Sequence, residues 1–139
     1  MPGWLPLLLV VTISATGSRL APCPETPNCV STQAARPEQR MEPIPFRGSA
    51  EAARERLIGL LEEQPRVEIE DRRSRLLHAV FTTRILRFED DVVFWVDADE
   101  GVIHFRSASR VGRSDLGANR RRMERLTELF LAAEESADD

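Results

Sequence analysis

Arg66-Val-Glu-Ile-Glu-Asp-Arg-Arg-Ser-Arg-Leu-Leu-His-Ala-Val-Phe-Thr-Thr83 decides the fold. Val67 and Ile69 stand two apart, and beyond a charged turn Leu77, Ala79 and Phe81 repeat the same spacing. A period of two sends successive side chains to opposite faces of a strand, so this stretch predicts two strands that bury one face. The pattern returns at 92–96 and 102–105, separated by short charged or Gly-containing turns, and predicts an antiparallel meander of four strands. The turn Asp97-Ala-Asp-Glu-Gly101 has calcium-loop spacing at its start. Ala108 stands where an EF-hand needs its bidentate glutamate, so the turn reads as a hairpin and no metal site is assigned.

Upstream the period changes to that of a helix. Ser49 is placed as N-cap with Glu51 in the first turn, Ala53, Leu57, Leu60 and Leu61 form one apolar stripe, and Pro65 stops the helix after Gln64. Downstream a second helix is expected from about Leu116, with Ser114 or Asp115 as N-cap and Leu116, Met123, Leu126 and Phe130 on one stripe. The fold class is therefore α+β: helix, four-stranded antiparallel meander and C-terminal helix, with both helices packed on one sheet face and a Pro-rich N-terminal arm. The expected segments are 1–17 as a leader, 18–48 as the arm, 49–133 as the domain and 134–139 as an acidic tail that frays.

Alternation assigns the faces. Val67, Ile69, Leu77, Ala79, Phe81, Val92, Phe94, Val96, Ile103 and Phe105 point to the helices. Leu76, His78, Val80, Trp95, Val102, His104 and Arg106 share the other side, which is too apolar for a fully solvated face. Either the arm folds across it, or it is a groove for a ligand or partner with His78, Trp95 and His104 among its residues.

The chain has 139 residues, 42% of them hydrophobic, which suits one domain with a core of its own. Its formal charge of -4 argues against general adhesion to nucleic acid or anionic lipid. All 19 basic residues are arginine, a bias that fits codon usage, but each guanidinium still offers a planar fork for carboxylate or phosphate.

The apolar run 4–13, followed by the small residues Ala15 and Gly17, reads as an export signal. Its length falls short of the about 20 residues a membrane span takes, and no Lys or Arg precedes it, so a retained anchor and a cytosolic chain stay open. Cys23 and Cys29, six positions apart, are expected to form a disulfide in an oxidising compartment. Lipid attachment at Cys23 competes, although Pro22 stands where a lipoprotein signal wants a small residue. Two sulfurs with no nearby histidine fall short of a metal site. Prolines 24, 27, 37, 43 and 45 interrupt both ladder and helix bonding, so 24–48 is expected to be an arm without elements of its own, pinned by Ile44 and Phe46.

The stretch 106–122 joins the last strand to the last helix and holds six arginines against one aspartate, a local charge of about +5. Arg106, Ser107, Ser109, Arg110, Arg113, Ser114, Asn119 and Arg120 are candidates to hold a phosphate, sulfate or carboxylate at the helix start. Against this stands a purely architectural role, in which Asp115 caps the helix and pairs with Arg110 or Arg113 while Gly112 and Gly117 allow a tight turn. The stretch lacks a P-loop ending and the second glycine of a nucleophile elbow, and neither histidine has a Ser or Cys partner evident in sequence.

Cys23-Pro-Glu-Thr-Pro-Asn-Cys-Val-Ser-Thr-Gln-Ala34, with Phe105-Arg-Ser-Ala-Ser-Arg-Val-Gly-Arg-Ser-Asp-Leu-Gly-Ala-Asn-Arg120 downstream, resembles the domain of unknown function 1499 family over about 23–131. The resemblance implies a small bacterial or plastid protein, often carrying an export or lipoprotein signal, with no activity or catalytic residues to carry over. Pro22 departs from the lipoprotein members. The expected function is that of an exported, periplasmic or membrane-associated module. It would bind a small anion or an envelope protein without a cofactor, would bind no nucleic acid, and would touch the membrane only through its N-terminus or a lipid on Cys23. The alternative is a small hydrolase or isomerase with His78 or His104 as general base beside arginine. The two motifs are expected to form one structural unit, with the arm crossing the sheet near the junction.

Overall fold

Ser49 Oγ accepts the Ala52 N–H at 3.1 Å and opens helix α1, Ala50–Glu63, which ends one residue before Gln64 and two before Pro65. The computed structural model describes residues 20–112 and 115–137. The expected leader 1–17 and the site candidates Arg113 and Ser114 lie outside the described residues.

Six strands form one antiparallel sheet: β1 Cys29–Ser31, β2 Ile44–Pro45, β3 Val67–Arg72, β4 Leu76–Thr82, β5 Glu89–Asp97 and β6 Val102–Ser109. The meander β3-β4-β5-β6 is the one read from the alternation, and α1 and α2, Ala118–Ala137, contact its core face. Leu77, Ala79, Val92, Phe94, Ile103 and Phe105 are fully buried there against Ala53, Leu57, Leu61, Met123, Leu126 and Phe130. A single register shift, between Ile69 and Asp71, bulges the outer strand β3.

The arm differs from expectation. It supplies β1 and β2, which pair with the outer edge of β6 at its two ends, and a 3-10 turn at Pro37–Gln39 between them. Left bare, that edge would expose a row of unpaired backbone groups, and Val30 and Ile44 give the covering strands buried anchors. Pro45 fits because β2 is short and lies at an edge, where a missing N–H breaks no central ladder. The arm therefore extends the sheet laterally, and it also reaches the outer face at β6. There Pro22 O accepts from Arg106 Nη2 at 3.3 Å, and Thr32 Oγ1 lies 3.0 Å from His104 Nδ1.

Two boundaries also move. Strand β6 runs to Ser109, because β1 pairs with Arg106, Ser107 and Ala108 on one side while β5 pairs with them on the other. Helix α2 begins at Ala118 and continues through most of the expected acidic tail to Ala137. Glu134 explains the extension, since it is buried and its carboxylate accepts the Arg47 N–H at 3.1 Å and meets Arg56 Nη1 at 3.3 Å.

Candidate functional site

Asn119, in the first turn of α2, is fully buried and gathers the two sequence motifs around one side chain. Its Nδ2 donates to Asn28 O at 3.1 Å, to Ser109 Oγ at 3.0 Å and to Asp115 Oδ2 at 2.5 Å, while its Oδ1 accepts from Ser107 Oγ at 2.6 Å and Arg122 Nη1 at 2.8 Å. Asn28 closes the ring by donating to Gly112 O at 2.7 Å. Next to it Cys29 is bonded to Cys23, so in this form neither sulfur is free for lipid or metal. The cysteine arm and the Arg-rich stretch thus meet in one buried polar knot.

Asp115 caps α2, accepting from Gly117 N at 2.8 Å and Asn119 N at 3.1 Å. Arg110 does not pair with it. Instead Arg110 forks onto Asp91 at 2.9 and 3.0 Å and reaches Glu89 as well. Asp91 also bonds His78 Nε2 at 2.7 Å, which is the only hydrogen bond His78 makes among the described residues.

The sheet divides the candidate residues. Ser107 and Asn119 lie on the helix side, where Arg122 joins them; Arg106, Arg110, His78, Trp95 and His104 lie on the outer side. Arg120 donates to Glu38 O at 2.8 Å and so ties α2 to the arm. Burial pushes the Arg106 guanidinium below its usual range, and its Nε has no hydrogen-bond partner among the described residues. Trp95 stacks on His104 at 5.1 Å between ring centres, and His104 faces Asp97 and Glu100 of the β5–β6 turn. Among the described candidates, His78 and Arg110 bond the Asp91 carboxylate and Arg106 lies within its field, while Ser107 and Asn119 stand across the sheet from them.

Arg110 first, and His78 less strongly, hold the Asp91 carboxyl below the ordinary carboxylate range, against an opposing push from partial burial. An acid whose pKa is lowered by folding stabilises the fold above its unfolded pKa, and that contribution fades as pH falls through the folded value. Arg110→Ala is therefore expected to shrink the stability lost between neutral pH and about pH 2 relative to wild type, as read from urea midpoints. An unchanged pH dependence would show that Arg110 does not act on Asp91.

What the alternation does not reveal is a groove at the far end of the sheet, of about 590 Å³, between the β4–β5 loop and the start of α2. Ile85, Leu86, Phe88, Val111 and Leu116 line it, and these are the exposed large apolar side chains of the described structure. Ile85 is 84% exposed and Leu116 86%. Leu116 also has φ +53° and Arg87 φ +58°, left-handed backbone that costs a residue with a Cβ about 1–3 kcal/mol. Leu116 was expected on the buried stripe of α2; it stands outside the helix because Asp115 caps two residues further on. Among the described residues three charged groups line the groove: Asp90 is paired with Arg122, Asp115 serves the cap, and Arg84 has no ion pair. The missed signal was Arg84-Ile-Leu-Arg-Phe88, an apolar run in a loop that neither sheet face requires.

Fold and site together define a small α+β protein with a disulfide-closed arm on its sheet edge and an apolar groove at one end. The chain belongs to the DUF1499 family, whose model, described as a protein of unknown function, matches residues 19–130. No curated protein and no solved structure matches it.

Proposed function

We propose that this protein is a non-enzymatic binding module that works outside the reducing cytosol and holds a small amphiphile, with an apolar body and one anionic group, in the groove between residues 83–88 and 111–118. The observation that carries the reading is the gathering, among the described residues, of the exposed large apolar side chains around a guanidinium with no ion pair, Arg84. Single exposed apolar residues mean little, whereas a contiguous patch marks a binding surface. The volume falls within the range of small-molecule sites. The earlier expectation of an anion is kept in reduced form: one charge at Arg84 rather than a cluster at the strand–helix junction. Export rests on the Cys23–Cys29 bond and on the N-terminal apolar run. Among the described residues no helix is long and apolar enough to cross a membrane.

Anilinonaphthalene sulfonate, which has the required shape, is expected to bind the folded protein saturably and to be displaced by decanoate but not by acetate. Arg84→Ala should weaken decanoate about 10-fold, the effect of one charge-assisted hydrogen bond. Absence of saturable binding to the folded chain would sink the proposal. Leu116→Gly gives a sharper check, because its two effects have opposite signs. Glycine relieves the left-handed strain, so stability should rise by about 1 kcal/mol, while loss of an apolar wall lowers affinity for the probe. A variant that is both less stable and equally good at binding would contradict the assignment.

A further inference from the structure

We infer that Asp97, Glu100 and His104 form a binding site for a divalent first-row transition ion, with zinc as the reference ion. The site lies in the hairpin turn between β5 and β6. Asp97 closes β5, Glu100 sits in the turn, and His104 is the third residue of β6. Each offers one donor atom, and the three atoms lie within 4.8 Å of one another. Asp97 is 6% exposed and His104 8%, so two of the donors belong to buried side chains, while Glu100 stands at the mouth.

The spacing is that of donors around an ion rather than of a closed ion pair. His104 Nε2 is 3.5 Å from Glu100 Oε2 and 3.8 Å from Asp97 Oδ2, and it makes no hydrogen bond among the described residues. The same sheet shows what a direct pair looks like, since His78 Nε2 closes on Asp91 Oδ1 to 2.7 Å. Two donors about 2.1 Å from zinc at a tetrahedral angle stand about 3.4 Å apart, close to the separations seen here.

The ring is also oriented for this role. Nδ1 lies 3.0 Å from Thr32 Oγ1, which accepts the Phe105 N–H at 3.1 Å and is within 3.5 Å of Phe105 O. With Nδ1–H donating to Thr32, Nε2 is left facing the two carboxylates, where its lone pair would complete a three-donor set around an ion. A ligand histidine held through its other nitrogen is the usual supporting arrangement of a metal site. Asp97 Oδ1 is occupied by the Asp99 and Glu100 N–H groups at 3.0 and 3.2 Å, which leaves Oδ2 for the ion. Imidazole with two carboxylates suits zinc, manganese or iron(II), whereas calcium would want more oxygens. The hairpin reading of the turn holds and an EF-hand remains excluded; the third donor arrives from His104 on the returning strand.

The test uses the full-length, disulfide-bonded chain carrying Trp4→Phe, so that Trp95 is the single indole. Zinc titrated by calorimetry is expected to bind once per chain. Cobalt(II) is expected to quench Trp95 fluorescence, since the indole stacks on the ligand ring. Glu100→Gln removes the exposed donor with little risk to the fold and should weaken both signals by at least the about 10–100-fold typical of losing a supporting partner. His104→Gln should abolish them; if that variant fails to fold, Glu100→Gln still decides. Folded wild type that takes up neither ion at 100-fold excess, or equal uptake by wild type and Glu100→Gln, would overturn the inference.

Discussion

Replacing Arg122 by alanine is expected to cost the fold about 3–5 kcal/mol, the range for removing one partner of a buried ion pair. The reason lies in what the side chain leaves behind. Asp90 is 2% exposed, its Oδ2 meets Arg122 Nη2 at 2.5 Å, and no other side chain among the described residues bonds it. Without the guanidinium a carboxylate would stay in a site shielded from water. Arg122 also donates to Ser107 Oγ and Asn119 Oδ1 and lies over the Phe81 ring at 5.0 Å, so packing is lost together with charge. Removing both charges should hurt less than removing one. The double variant Asp90→Ala, Arg122→Ala is expected to be at least as stable as Arg122→Ala alone, because nothing charged is then stranded. Urea denaturation of wild type, Asp90→Ala, Arg122→Ala and the double variant measures the coupling. A loss below about 1 kcal/mol in the single variant would place this pair with solvent-exposed ones.

Arg122 also marks where the sequence was legible and where it was not. Strands and helices with strong periodicity, such as Leu77-Ala79-Phe81 and Leu57-Leu60-Leu61, could be read because burial on one face leaves a repeat. Cys29-Val-Ser31 and Ile44-Pro45 left none. Strands of three and two residues are too short to show alternation, and their partner β6 is more than 55 residues away in the chain. The end of β6 was hidden for a related reason. Arg106-Ser-Ala-Ser109 has the composition of a loop, and only the β1 ladder makes it a paired strand. At the site, the polar residue types could be read but not their partners. Arg110 points to the strand beside it, whereas Arg122, given no role from sequence, carries the buried pair. The groove residues 85–88 fit neither period, and that misfit was the available signal.

The two proposed sites sit at opposite ends of β6. His104 and Ser109 are five residues apart along a strand that rises about 3.3 Å per residue, a separation of roughly 17 Å. No described side chain touches both, so the groove and the turn cluster should respond independently to substitution. The polar knot lies at the groove end, where Ser109, Asp90 and Asp115 belong both to the knot and to the groove wall. The knot therefore forms part of the floor of the proposed binding surface.

Asn119→Asp tests that dependence with a change of almost no volume. The variant oxygen would replace an Nδ2 that donates to Asn28 O, Ser109 Oγ and Asp115 Oδ2, so it would face a carbonyl oxygen, a hydroxyl and a carboxylate 2.5 Å away. Stability at neutral pH should fall by about 3 kcal/mol: one carboxylate oxygen keeps Ser107 and Arg122, while the other is set against Asp115 and a carbonyl in a buried site. The pH dependence carries a distinct sign. Arg122 favours the charged acid at position 119, but its guanidinium is shared with Asp90, whereas burial and Asp115 2.5 Å away both favour the protonated form; the folded pKa then lies above the unfolded one and the native state binds the extra proton. Stability then falls as pH rises through the interval between the two values, and acidification toward about pH 5 should recover part of the loss relative to wild type. Asn119→Ala, which has no titrating group, should lose about 3 kcal/mol with no such recovery, since it strands polar partners without adding charge. If both variants show the wild-type pH profile, the position 119 side chain is solvated and the knot does not hold the groove floor. If only the aspartate variant recovers in acid, and binding of anilinonaphthalene sulfonate returns with it, the buried amide is what links the cysteine arm to the binding surface.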